Sequence, residues 1–282
     1  MPSITHHSAP TQFAEANGIR FAYRRFGKDG GVPLVFNQHF TGTMDHWGPA
    51  VTDAIARGRE VILFNNAGVS SSTGTVPTTF REMAANAIAF IRALGLTQVD
   101  VLGFSIGGMI AQEIALQGAD LVRKLILVGT GPRGGEGMAT LTPEAQEVFG
   151  ATYENPDDVW LRVHFTPSAA SQAAGKRYLK LFRQRVDGRD PEADEATAAN
   201  QMAAISEWGE QRAGSYNYLA AIRQPTLVVN GTKDVIVYTV NSYILAQHIP
   251  DATLILYPDA NHGSIYQYPE QFTAHVNLFL DA

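Results

Sequence analysis

Short runs of branched and aromatic residues alternate along this chain with segments of helical spacing, and this alternation restricts the possible folds more than any other feature. Six runs are bounded by Gly, Pro or Asn, as is typical of strands buried on both faces. They span residues 34–36, 61–64, 99–104, 125–128, 227–229 and 254–257. Between two of them, Met83, Ala87 and Ile91 recur at helical intervals. Strands alternating with helices predict an α/β protein with a doubly wound, mostly parallel sheet.

The N-terminal part of the chain predicts an antiparallel addition to this sheet. Asn17-Gly18 lies between residues 11–16 and 19–24, two segments of strand-like composition. This dipeptide favours a two-residue hairpin turn, because both central positions need a positive φ. We therefore expect a hairpin at one edge of the sheet.

The alternation stops between about Gly137 and Gly214, where no strand is predicted and four helix starts are. Each start pairs a capping side chain with a proline at the first helical position. The four pairs are Thr142-Pro143, Asn155-Pro156, Thr166-Pro167 and Asp190-Pro191. We interpret residues 137–214 as an inserted helical lid, between a first core segment, 1–136, and a second, 215–282. Insertions at the carboxyl ends of sheet strands usually shape the ligand site.

Composition excludes several kinds of chemistry and several partners. The chain has a formal net charge of −6 and no basic stripe, which argues against nucleic acid or an anionic membrane as its partner. Its 282 residues include no cysteine, so catalysis must use oxygen or imidazole groups. We expect no metal, since no histidine or carboxylate set has ligand spacing, and no cofactor. The N-terminus lacks the apolar core of a secretory signal, so we expect a cytoplasmic protein.

A possible nucleophile stands in the sequence Gly103-Phe104-Ser105-Ile106-Gly107, where a predicted strand meets a predicted helix. A serine on such a sharp turn needs small neighbours two positions before and after it, because those positions are pressed against adjacent structure. The N-terminus of the helix then directs free amides at a reacting carbonyl oxygen, the first of them from Ile106. The alternative is a structural turn with no catalytic role.

With this motif in place, the chain resembles the α/β-hydrolase superfamily, and in particular its lidded serine esterases and lactonases. Three further segments carry the resemblance: the loop Asn37-Gln38-His39-Phe40-Thr41-Gly42, residues 64–72, and a closing stretch with an acid and a histidine. In this superfamily the catalytic residues follow the order serine, acid, histidine. The resemblance implies an α/β-hydrolase fold with a helical lid.

The resemblance also implies which residues complete a triad with Ser105. Asp234, just beyond the predicted strand at 227–229, matches the family acid, and His262 matches the general base in position and order. A carboxylate there can hold the imidazole in one tautomer. The alternatives are that Asp234 is only a turn residue and that Asp259 is the acid, although Asp259 is so near His262 that shaping the loop suits it better.

For the oxyanion hole, the resemblance implies the main-chain amide of Phe40 beside that of Ile106. Relatives carry His-Gly before the donor residue, and Gln38-His39 stands there instead. Because glycine adopts conformations that a histidine reaches only with strain, this difference leaves the backbone angle at His39 open. Its side chain either orients substrate or packs. Aromatic residues of the insertion, Trp160 and Trp208 among them, either line the pocket or pack the lid.

Together these residues predict a serine hydrolase that cleaves a small or medium carboxylic ester or lactone through an acyl-enzyme. A serine at the turn disfavours haloalkane dehalogenase and epoxide hydrolase chemistry, because relatives with those activities have an aspartate there. Carbon–carbon bond hydrolases and perhydrolases remain alternatives, because they keep the same three residues. An alternative of another class is a ligand-binding receptor of this fold that performs one slow turnover.

Overall fold

Eight strands form one sheet through the centre of the protein. The computed structural model describes residues 4–282, in which the strand order is β1-β2-β4-β3-β5-β6-β7-β8. The strands are β1 (Gln12–Ala16), β2 (Ile19–Gly27), β3 (Leu34–Asn37), β4 (Glu60–Phe64), β5 (Val99–Phe104), β6 (Val122–Val128), β7 (Thr226–Gly231) and β8 (Ala252–Tyr257). β1 and β2 are antiparallel additions, and β3 to β8 run parallel. The predicted α/β class is confirmed, and each of the six predicted runs lies within a strand.

The hairpin also forms where the sequence predicts it. Asn17 and Gly18 have φ values of 51° and 76°, and they join β1 to β2. Both turn residues therefore adopt the left-handed conformation that an Asn-Gly hairpin requires.

Helices cover both faces of the sheet. Those found in residues 4–282 are α1 (Pro49–Ala56), α2 (Phe80–Ala93), α3 (Ile106–Gln117), α4 (Pro143–Gly150), α5 (Asp158–His164), α6 (Ala169–Phe182), α7 (Glu195–Gly209), α8 (Val240–His248), α9 (Ser264–Gln267) and α10 (Pro269–Asp281). Side chains of β3 alternate between two cores: Val35 packs with α2 and α3, whereas Leu34 and Phe36 pack with α1 and α10. This alternation explains why the strands are apolar at nearly every position.

Four α-helices, α4 to α7, lie between β6 and β7, as the break in alternation predicts, but only one begins at its predicted residue. Thr142 caps α4, its Oγ1 accepting a hydrogen bond of 3.0 Å from the Ala145 amide. The predicted starts at Asn155, Thr166 and Asp190 are wrong: α5, α6 and α7 begin at Asp158, Ala169 and Glu195.

Competing partners explain two of these shifts. The Thr166 hydroxyl donates to Asp259 Oδ1 at 2.8 Å, and Ser168 caps α6 in its place. The Asp190 carboxylate lies 3.5 Å from Arg24, and Asp194 caps α7. When a side chain that could cap a helix is bound to another partner, the helix begins instead after the next side chain that can cap it.

A buried ion pair fastens the insertion to the rest of the protein. Arg24 Nη1 on β2 lies 2.5 Å from Asp45 Oδ1, and both side chains are almost completely buried. Asp45 Oδ2 also accepts a hydrogen bond of 2.6 Å from the Asp190 amide, in the segment between α6 and α7. This segment is therefore held at a fixed position against the sheet. None of the helices formed by residues 4–282 is long and apolar enough to cross a bilayer.

Candidate active site

Ser105 occupies a strained turn between β5 and α3. Its φ and ψ are 57° and −122°, a combination that costs energy for a residue with a side chain. A Cβ atom added to Gly103 would lie 2.1 Å from the carbonyl oxygen of Gly107, and one added to Gly107 would lie 2.0 Å from that of Asn37. Both glycines are thus required by close packing, which is the reason the sequence motif suggested.

Asp234 and His262 are hydrogen-bonded to each other in the interior. His262 Nδ1 lies 2.9 Å from Asp234 Oδ2, and both residues are buried. The other carboxylate oxygen of Asp234 accepts hydrogen bonds from the Ile236 and Val237 amides at 2.9 and 3.0 Å. Because a carboxylate accepts, His262 Nδ1 carries the proton, and Nε2 of the neutral ring is left as an acceptor.

Asp259, the rival acid, faces the insertion. Its carboxylate accepts hydrogen bonds from the hydroxyls of Thr166 at 2.8 Å and Ser168 at 2.5 Å. These hydrogen bonds lower the pKa of Asp259. The carboxylate that contacts His262 is that of Asp234.

Some main-chain amides of the loop after β3 already donate a hydrogen bond within the protein, and others do not. The His39 amide donates to Gln38 Oε1 at 2.8 Å, and the Thr41 amide donates to Gln201 Oε1 at 2.7 Å. The amide of Phe40 between them, like that of Ile106, donates no hydrogen bond to any residue in the range 4–282. Two donors are thus available, and they are the pair that the sequence resemblance implied.

The loop residue with a positive φ is Thr41, at 53°, and not His39. The Gln38 side chain holds this loop together. It bridges the loop, accepting from the His39 amide and donating to the Thr43 carbonyl at 2.7 Å. This bridge ties the start of the loop to Thr43.

Ser105 and His262 line the same cavity, which has a volume of about 330 Å³. Its other lining residues are His39, Phe40, Thr41, Phe149, Val159, Trp160, Val163, His164 and Ile236. The structure thus brings His39 and Trp160 to the cavity but not Trp208. Trp208 packs against Phe80 and donates to the Gly131 carbonyl at 3.3 Å.

His164 is a cavity residue that the sequence analysis did not identify. Its ring stacks on Trp160 with centroids 5.2 Å apart, and it lies 6.0 Å from the His262 ring. The pKa of His164 is lowered to about 3, and burial is the largest cause of this shift. The spacing of Trp160 and His164, one helical turn apart, placed both on one helix face and was the signal that could have identified His164. Across residues 4–282, no group of three or more His, Cys, Asp or Glu side chains is arranged to hold a metal ion.

Comparison with known proteins gives one family and several relatives. Residues 32–269 match the family model described as the alpha/beta hydrolase fold. A solved alpha/beta hydrolase fold protein from Chitinophaga pinensis is 41% identical, with a TM-score of 0.93 and 99% of each chain covered. A poly(3-hydroxyalkanoate) depolymerase from Ectopseudomonas oleovorans is 29% identical, over 86% of this chain and 82% of that protein. A solved structure described as an N-acyl homoserine lactone degrading enzyme is 25% identical, with a TM-score of 0.70 and coverage of 95% and 100%.

Proposed function

This chain belongs to the α/β-hydrolase family and is a hydrolase, and from that premise we propose that it cleaves a small or medium carboxylic ester or lactone through an acyl-enzyme. One observation carries the proposal. The cavity that contains Ser105 also contains His262, whose other ring nitrogen is held by Asp234 at 2.9 Å. The names of two relatives, a depolymerase and a lactone-degrading enzyme, agree with this class of substrate.

In the first half of the proposed reaction, Ser105 Oγ attacks the carbonyl carbon of the substrate while His262 Nε2 takes the hydroxyl proton. Asp234 stabilises the imidazolium that results. Negative charge develops on the carbonyl oxygen, where the free amides of Phe40 and Ile106 can donate to it. The tetrahedral intermediate then collapses, and the departing alcohol oxygen takes the proton from His262.

In the second half, water attacks the acyl-enzyme while His262 accepts one of its protons. The new tetrahedral intermediate expels Ser105 Oγ, which recovers its proton from His262, and the carboxylic acid leaves. With a lactone, the alcohol released in the first half stays attached to the acyl group, so a single hydroxy acid leaves at the end.

We also propose that residues 137–214 act as a lid over this cavity, with core segments 1–136 and 215–282 beneath it. Trp160 and His164 of α5 form part of the cavity wall. Two hydrogen bonds join α5 to the loop of His262: Gly263 donates its amide to the His164 carbonyl at 2.9 Å, and Asn261 donates its side-chain amide to the Arg162 carbonyl at 3.1 Å. This part of the lid is therefore a fixed wall.

Turnover of p-nitrophenyl esters tests the proposed function. A cavity of about 330 Å³ is near the lower limit for ligand pockets, so p-nitrophenyl butanoate should be hydrolysed with a higher kcat/KM than the dodecanoate. The enzyme should release many equivalents of nitrophenol in a steady state. Release of a single equivalent that then stops would contradict the proposal and favour a receptor of the same fold.

A further inference from the structure

Two histidines beside the proposed catalytic residues have their protons fixed by main-chain carbonyl groups. His39 Nδ1 lies 2.8 Å from the Phe40 carbonyl oxygen, and His164 Nδ1 lies 3.2 Å from the Trp160 carbonyl oxygen. A carbonyl only accepts hydrogen bonds, so each Nδ1 must be the protonated nitrogen. In a neutral imidazole the other nitrogen is then an acceptor. His39 and His164 consequently offer two Nε2 acceptors.

Both rings are neutral at physiological pH because they are buried. Burial is the largest cause of the pKa shift of each ring. It holds the pKa of His39 well below its usual range and lowers that of His164 to about 3. Their neighbours in the cavity wall are apolar or uncharged, and no Asp, Glu, Lys or Arg among the described residues lines this cavity. A charged substrate would thus lose its hydration without gaining a counter-ion.

The Nε2 acceptor of His39 has no hydrogen-bond partner in residues 4–282. His39 is 7% exposed, and its Nε2 is buried without a hydrogen bond among the described residues. A buried polar atom left unpaired costs free energy, which a ligand with a hydrogen-bond donor would recover. The ring of His164 lies 5.9 Å from that of His39, and both residues line the same cavity.

We propose that His39 and His164 form a donor-recognition site, which selects neutral esters or lactones carrying a hydroxyl or amide N–H close to the scissile carbonyl. This inference rests on the proposed function and adds the class of substrate to it. The donor must be close to the carbonyl for two reasons. His39 directly precedes Phe40, whose amide is the proposed oxyanion donor, and the His164 ring lies 6.0 Å from that of His262.

Two matched pairs of methyl esters test this site and separate the two sources of a donor. Methyl 3-hydroxybutanoate is compared with methyl 3-methylbutanoate, in which a methyl replaces the hydroxyl. The methyl ester of N-acetylglycine is compared with methyl 4-oxopentanoate, in which a methylene replaces the N–H. The acid released is titrated at constant pH, and the result is the ratio of kcat/KM within each pair.

We expect the donor ester of at least one pair to be favoured about tenfold or more, since the analogue leaves a buried acceptor unpaired. The pair that shows the preference identifies the hydroxyl or the amide as the recognised group. Cleavage of all four esters with ratios near one would overturn the donor site and leave the proposed function intact. Cleavage of none of them would contradict the proposed function as well.

Variants assign the preference to the imidazole acceptors. His164→Phe keeps an aromatic ring without the acceptor and should bring the ratio close to one, whereas His164→Gln, which retains an acceptor, should restore part of it. Each ratio is taken within one variant, so a general loss of activity cancels. His248→Phe, on the exposed end of α8, is the matched control and should keep the ratio of the unmodified enzyme.

A full preference in folded His164→Phe would contradict the assignment. Should His164→Phe fail to fold, His39→Phe makes the same test at the second acceptor. A preference unchanged in folded His39→Phe would then overturn the proposal.

Discussion

Lowering the pH from 7.5 to 5.0 should destabilise this protein through histidines that are buried in neutral form. Burial, the largest cause in both cases, lowers the pKa values of His6 and His164 from 6.5 to about 3. The unfolded chain therefore binds protons at these residues below pH 6.5, and the folded chain does not until about pH 3. The stability they provide is complete above pH 6.5 and is lost as the pH falls towards 3.

The size of the effect follows from the difference between pH 5.0 and 6.5, the pKa of these histidines in the unfolded chain. At about 1.4 kcal/mol per pH unit, each histidine lowers the free energy of unfolding by about 2 kcal/mol, or about 4 kcal/mol for the two. Ordinary carboxylates titrate mostly below this range. Replacing His164 by a residue that does not titrate should therefore make the pH-dependent loss about 2 kcal/mol smaller. His39, whose pKa is also held well below its usual range by burial, contributes to the loss in both proteins.

Urea unfolding followed by tryptophan fluorescence at both pH values measures the effect. The unmodified protein should lose about 4 kcal/mol or more between pH 7.5 and 5.0, and the loss in His164→Phe should be about 2 kcal/mol smaller, whatever its stability at pH 7.5. Equal free energies of unfolding at the two pH values would refute the reasoning, as would a pH-dependent loss in His164→Phe as large as in the unmodified protein.

Five further substitutions test other parts of the account. Asp234→Asn should lower kcat by up to ~10⁴-fold, while Asp259→Asn should change Tm more than kcat; the reverse result in folded proteins would make Asp259 the acid. Phe40→Pro removes an oxyanion donor and should lower kcat by ~10² to 10³, whereas Phe40→Ala keeps the amide and should mainly alter substrate preference; near-normal turnover by folded Phe40→Pro would mean another donor. Arg24→Met leaves the buried Asp45 without the closer of its two ion-pair partners, Arg24 and Arg185, and should cost about 3 to 5 kcal/mol in urea unfolding; a loss under 1 kcal/mol contradicts this.

The sheet and the serine turn were predictable because local patterns encode them. A parallel strand buried on both faces is apolar along its length, and the Asn17-Gly18 turn needs only two residues to be specified. The turn at Ser105 similarly depends on Gly103 and Gly107, whose close packing is shown by the distances of 2.1 and 2.0 Å that a Cβ would reach. Such features require no knowledge of distant contacts.

Other features depend on contacts between distant segments, and the sequence patterns missed them. Thr166 does not cap a helix because Asp259, far away in the chain, takes its hydroxyl. His164 enters the cavity because α5 is bonded to the loop of His262 through Gly263. Each outcome is decided by a tertiary hydrogen bond.

Covalent labelling with a fluorophosphonate tests the central claim, that Ser105 is the nucleophile, most directly. Intact-mass measurement followed by peptide mapping should show one equivalent of the probe on Ser105 of the unmodified protein and none on folded Ser105→Ala, which should also lose at least ~10³-fold in ester turnover. One equivalent on the alanine variant together with persistent ester hydrolysis, or a label on another residue of the unmodified protein, would contradict the claim.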